Sequence, residues 1–113
     1  MYKTIAQAIE LANGLKRLLF DLESESIDII LCPSYTALSE VAEVISESNI
    51  QLGAQGIFWQ DEGAFTGEVS PLMLKDAGCS FVIIGHSERR QYFGETNDTV
   101  NKKIKAALKH ALT

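Results

Sequence analysis

The densest chemical signal in this 113-residue chain is Ile83-Ile84-Gly85-His86-Ser87-Glu88-Arg89-Arg90. The apolar run that leads into it, from Phe81, reads as a strand buried on both faces that delivers His86 at its carboxyl end. In parallel α/β folds, chemistry sits at those ends. Ser87 to Arg90 can form a short helical turn whose N–H groups point toward His86. A helix N-terminus disfavours imidazolium, so the ring would stay neutral and fit to polarise a carbonyl. A second reading fits the same residues: a histidine that caps the turn, followed by a solvated charge run. Two further strand ends are polar, Ser34 after Leu31-Cys32-Pro33 and Gln55 after Leu52-Gly53-Ala54. Three polar strand ends could face one cleft, or could be ordinary turn residues. Gly63-Ala64-Phe65-Thr66-Gly67-Glu68 sets an aromatic between glycines, as a protruding partner-binding loop or a flexible loop would. His110, in a lysine-rich stretch, reads as solvated, and Asp61 and Glu62 read as loop charges.

The elements that would position these residues show in the changing hydrophobic period. Ile5, Ala8, Ile9, Ala12, Leu15 and Leu19 make a helical stripe, opened by a capping box of Thr4 and Gln7. Ile27 to Cys32 is a β-branched run stopped by Pro33. Leu38, Val41, Ala42 and Ile45 mark a second helix, with Thr36 as its cap. Ile50 to Gln55 is a second strand. The stretch from Gly56 to Val69 is long for a connection, and long connections are often functional. Ser70-Pro71 opens a third helix and Gly78 closes it. A third strand over 80–85 follows, and Val100, Ile104, Ala107, Leu108 and Ala111 define a last helix capped by Thr96. The order α-β-α-β-α-β-α implies parallel strands joined by right-handed crossovers. Three such strands leave both sheet edges open, give the first helix no preceding strand, and leave one face around Leu52, Val82 and Ile84 without partners.

Composition narrows the function classes. The formal net charge is −5, and the basic pairs Lys16-Arg17, Arg89-Arg90 and Lys102-Lys103 are scattered, so no nucleic acid partner is expected. No apolar run approaches the roughly 20 residues of a membrane span, so no membrane partner is expected. Cys32 and Cys79 are far apart and form no C-x-x-C, which suits a reducing, cytoplasmic setting and no cysteine metal site. The glycine-rich nucleotide loops, the serine-hydrolase elbow and the zinc-protease helix motif are all missing. An unrelated flavodoxin-like binding module is the weakest alternative, since the chain has no glycine-rich first turn.

Three segments in order, Gly53-Ala54-Gln55, Gly63-Ala64-Phe65-Thr66-Gly67-Glu68 and Gly85-His86-Ser87-Glu88-Arg89-Arg90, resemble the triosephosphate isomerase family along essentially all of Met1 to Thr113. The resemblance implies an α/β fold: part of an eight-stranded (β/α) barrel, which in full has about 250 residues. Residues 1–113 would be one fragment of that single domain, with three parallel strands equivalent to the second to fourth, and four helices. It implies interconversion of dihydroxyacetone phosphate and glyceraldehyde 3-phosphate through an enediolate, without cofactor or metal. In that mechanism a glutamate is the base and a neutral histidine the electrophile. By position, His86 resembles the electrophile and Glu88 the carboxylate that pairs with the active-site lysine, while Ser87 supports the same site. Phe65-Thr66-Gly67 resembles the loop that enters a neighbouring subunit of a homodimer, and Gln55 lies at the same interface.

The departures bear on activity. The family's first strand ends in Asn-Trp-Lys-Met, and Met1 matches the last of these, so the substrate-binding Asn and Lys are not among these residues. Lys3 is no substitute, because it falls on the approach to the first helix. The glutamate base and the late phosphate-binding loops are also outside Met1 to Thr113. Position 56 is glycine where asparagine is expected. The alternative to an isomerase is therefore a catalytically inactive barrel fragment that acts only by association with a complementary chain.

Overall fold

The structure is a computed structural model that describes residues 1–20 and 27–113. Helix α1 (Ile5–Leu18) begins at the expected capping box: Gln7 N–H donates to Thr4 Oγ1 at 3.4 Å, and Thr4 N–H to Gln7 Oε1 at 3.0 Å. Strand β1 (Ile29–Leu31) follows, then a 3-10 turn (Tyr35–Ala37) that runs into α2 (Leu38–Ile45). Thr36 is therefore not the cap of α2. It lies inside the turn, where its hydroxyl is 3.2 Å from that of Ser34, and Ala37 holds the cap position. Strand β2 (Ile50–Ala54) precedes the long connection to α3 (Pro71–Asp76). Ser70 Oγ caps α3 by accepting from Met73 N–H at 3.2 Å, and Gly78 follows the helix as expected.

Strand β3 (Phe81–Val82) is followed by α4 (Ser87–Tyr92) and α5 (Asn97–Lys109), the latter capped by Thr96. The described helices thus number five rather than four, because the turn after His86 is a helix in its own right. The strands are shorter than the apolar runs suggest. Ile27 and Asp28 lie outside β1, although Ile83 N–H still reaches Ala54 O at 2.9 Å beyond β3.

The three strands form one parallel sheet in the order β1-β2-β3, with Ile29 opposite Ile50 and Gly53 opposite Phe81. The first helix is not stranded without a partner. It packs on α2 through buried Ala8 and Ala12, and Lys16 Nζ donates to Val44 O at 3.0 Å. Leu52 also finds partners and is buried in the single core with Val41, Ile45, Ile57 and Leu74, while Val82 and Ile84 pack against its border.

Two expectations about the sheet fail. Phe81 to Gly85 is half-buried rather than buried on both faces. The β3 edge is not open throughout: Thr113 N–H donates to Ser80 O and Val82 N–H to Thr113 O, each at 2.9 Å, a parallel bridge. The α5 stripe also differs. Its buried residues are Lys103, Ala106 and Ala107, whereas Ile104 and Leu108 are exposed. Ala111 is past the helix, with φ +53°.

Candidate active site

Parallel pairing puts the carboxyl ends of β1, β2 and β3 on one rim, and Ser34, Gln55 and His86 follow those ends in turn. Gln55 bridges the first two, its Nε2 donating to Cys32 O at 2.9 Å. A cavity of about 270 Å³ joins Gln55 and His86, with Ile83, Glu88 and Arg89 also in its wall. A second cavity of about 270 Å³ joins Gln55 to Ser34 and Leu31, and Met1 lines both. The expected common rim is thus present.

His86 is set by the two residues around it. Gly85 has φ +72°, which turns the chain sharply from strand to helix. A Cβ there would also come within 3.1 Å of Val100 Cγ2. Arg90 holds the turn, donating from Nε to Gly85 O at 3.0 Å and from a terminal nitrogen to Asn97 Oδ1 at 2.9 Å. His86 itself is the N-cap of α4: its Nδ1 accepts from Glu88 N–H at 3.1 Å. The capping reading of this histidine is therefore met. Capping occupies the Nδ1 lone pair, so the neutral ring carries its proton on Nε2, as a donor. The side chain is 46% exposed and open to a ligand. Glu88 Oε2 is 3.8 Å from Nδ1, and among the described residues no lysine pairs with this carboxylate. Ser87 is exposed beside them, at the first position of α4.

Phe65, Thr66 and Gly67 do not line the His86 cavity. They form the tip of a separate loop whose root is closed by Phe58 N–H donating to Val69 O at 2.8 Å. Phe65 lies on Phe58 with ring centroids 4.6 Å apart and is still 43% exposed.

Two clusters escaped sequence reasoning. Glu95 has a side chain only 2% exposed, flanked by Lys103 Nζ at 2.5 Å and Arg89 Nε at 3.5 Å. These contacts are close but poorly aligned, so the attraction is Coulombic rather than a set of good hydrogen bonds. His110 is not solvated: 16% exposed, its Nε2 lies 2.8 Å from Asp61 Oδ1. Lys109 Nζ reaches the other oxygen at 3.2 Å and holds the Asp61 carboxyl below its usual range, with His110 adding to the effect. No local signal marks a pair 49 residues apart. Cys79 is buried as expected, its thiol pushed up to about 11 by burial, and half-buried Cys32 is raised for the same reason. Among the described residues no three acidic, histidine or cysteine side chains converge to hold a metal, and no helix is long and apolar enough to cross a membrane.

The family model described as triosephosphate isomerase matches residues 1–113. A triosephosphate isomerase from Trichodesmium erythraeum (strain IMS101) is 54% identical over 113 residues, all of this chain and 46% of that protein. One from Trichlorobacter lovleyi is 52% identical over 113 residues, 44% of its length. The crystal structure of triosephosphate isomerase from Bartonella henselae superposes with a TM-score of 0.80 at 37% identity, covering 91% of this chain and 44% of that one. The chain spans less than half the length of these relatives.

Proposed function

Because the chain belongs to the triosephosphate isomerase family, we propose that it supplies the carbonyl-polarising part of a barrel that interconverts dihydroxyacetone phosphate and glyceraldehyde 3-phosphate in the cytoplasm. The observation that carries this reading is the capped histidine: with Nδ1 accepting from Glu88 N–H, His86 keeps Nε2–H free as a donor. In the reaction a base removes a carbon-bound proton beside the substrate carbonyl. The electron pair moves onto the carbonyl oxygen, and His86 Nε2–H stabilises the negative charge that develops there; the hydroxyl proton of the adjacent carbon then passes to that oxygen, and the base returns its proton to the former carbonyl carbon as the new carbonyl forms. A donor aimed at developing charge lowers the barrier to the enediolate more than it stabilises the ground state. Glu88, 3.8 Å from the ring, would take a cation in the complete site, with Ser87 alongside.

These 113 residues alone are expected to be inactive, since the base and phosphate loops that the resemblance implies lie outside them. A base and an electrophile act as a unit, and losing one member removes most of the rate. In the complete enzyme the exposed Phe65-Thr66-Gly67 tip would enter a second copy and Gln55 would face it, giving a homodimer. A coupled assay tests the proposal on this chain alone and on the chain joined to the remaining half of a relative. No turnover is expected from the first. In the second, His86→Gln should lower kcat by about 10²–10⁴-fold. Turnover unaffected by that substitution would remove His86 from the mechanism.

A further inference from the structure

The helix that follows His86 is not held by packing. Helix α4 has six residues and none of them is buried. It cannot hold itself either, since isolated helices shorter than about 12–15 residues are marginal in water. The approach to it is soft as well. Gly85, at φ +72°, has no Cβ to restrict it and could leave that conformation at little cost. Yet His86 caps this helix, its Nδ1 accepting from Glu88 N–H at 3.1 Å. Contacts from outside α4 must therefore fix the turn, and those present are polar. The Arg89–Glu95 contact is Coulombic and poorly aligned. Arg90 makes directional bonds instead: Nε donates to Gly85 O at 3.0 Å, and a terminal nitrogen donates to Asn97 Oδ1 at 2.9 Å. One planar fork thus joins the residue before His86 to the first residue of α5. That helix is itself secure, with thirteen residues, a capping box at Thr96, and Lys103, Ala106 and Ala107 buried.

We infer that Arg90 is a positioning residue for His86, with Asn97 as the anchor that aims it. Gly85 O belongs to the peptide that links Gly85 to His86. A bond to that oxygen fixes the plane from which the His86 side chain departs, and so keeps Nδ1 on the Glu88 N–H and Nε2–H free. Arg90 does not line the cavity beside His86, so it acts through the backbone and not on a ligand. The inference rests on the reading of His86 as the electrophile only for what the placement serves; the placement is a property of the turn.

The test reads the ring and its neighbours by NMR of the 113-residue chain. The chain has two histidines, His86 and His110, and His110→Gln tells their signals apart. Nitrogen-15 spectra at about pH 9, above the imidazole range, report the tautomer. The parent should show His86 with its proton on Nε2. Arg90→Lys keeps the charge but offers one nitrogen in place of the fork. It should let the His86 ring average between its tautomers, and amide exchange at Glu88 should accelerate about tenfold. Exchange at Ile83, whose N–H donates to Ala54 O at 2.9 Å just before the turn, should not change. Asn97→Leu should reproduce Arg90→Lys. Asn97→Asp keeps the acceptor and should retain the parent's ring signals and Glu88 exchange. Arg90→Lys or Asn97→Leu indistinguishable from the parent overturns the inference, as does Asn97→Asp behaving like Asn97→Leu. Equal acceleration at Ile83 and Glu88, or loss of folding in Arg90→Lys, overturns it too, because Arg90 would then be a general stabiliser. Turnover of the joined barrel that is unaffected by His86→Gln would sink the proposed reaction and leave these readouts standing.

Discussion

At the scale of single residues, the most exposed cost in the fold is Ala111. It sits just past α5 with φ +53°, where Leu112 N–H closes the helix end by donating to Ala107 O at 2.9 Å. An L-residue with a Cβ is disfavoured in that conformation, and glycine is the usual occupant. Ala111→Gly should therefore stabilise the chain by about 0.5–1 kcal/mol, raising Tm by about 3–6 °C in a thermal melt. Tyr35 makes the second residue-scale prediction. Its folded pKa is raised from the usual 10 to about 12 by burial. The unfolded chain therefore ionises this group first, and stability falls as pH rises from about 10 through the folded value. Urea titrations at pH 9 and pH 11 should show a steeper loss for the parent than for Tyr35→Phe. Equal losses in the two would show that the hydroxyl is as free in the folded chain as in the unfolded one.

At the scale of elements, Asp61 ties the flank of the loop between β2 and α3 to the end of α5. The carboxyl is held below its ordinary range, so its contribution is complete above about 3.9 and lost as pH falls through the lowered value. Trp59, two residues away, should keep its native emission down to the bottom of the carboxylate range and then shift. Asp61→Asn should give the shifted emission already at neutral pH. An unchanged spectrum in that variant would mean the tie does not hold the loop. Element existence was legible from local chemistry alone: the Thr4, Ser70 and Thr96 caps all formed as read. So was the rim, because parallel strands force Ser34, Gln55 and His86 to one side. What stayed hidden depends on residues distant in sequence. The face of α5 was misread because buried Lys103 pairs with Glu95, and a charged residue at a core position breaks the apolar stripe. Likewise Thr36 resembles a cap until the 3-10 turn, set by Ser34 and Ala37, places it one residue early.

At the scale of the whole molecule, the core is continuous, yet several large apolar side chains stay outside it. Leu18 on α1, Tyr92 and Phe93 at the end of α4, and Ile104 and Leu108 on α5 are exposed. Apolar surface of that extent drives association in water. Sedimentation velocity of the 113-residue chain should show mass rising with concentration, and mild detergent should reverse it. A single monomer peak across a hundredfold concentration range would mean that the exposed surface is tolerated. The order of the sheet has a consequence of a different kind, for the order of events in time. Each strand lies beside the strand that precedes it in the chain, β1 to β2 to β3, and Thr113 then bridges to β3. A ribosome delivers about 5–20 residues per second, while contacts across loops of this size close in well under a millisecond. β2 and β3 therefore each emerge to find a neighbour already made, and the arc can assemble in the direction of synthesis, each step using only residues already outside the exit tunnel.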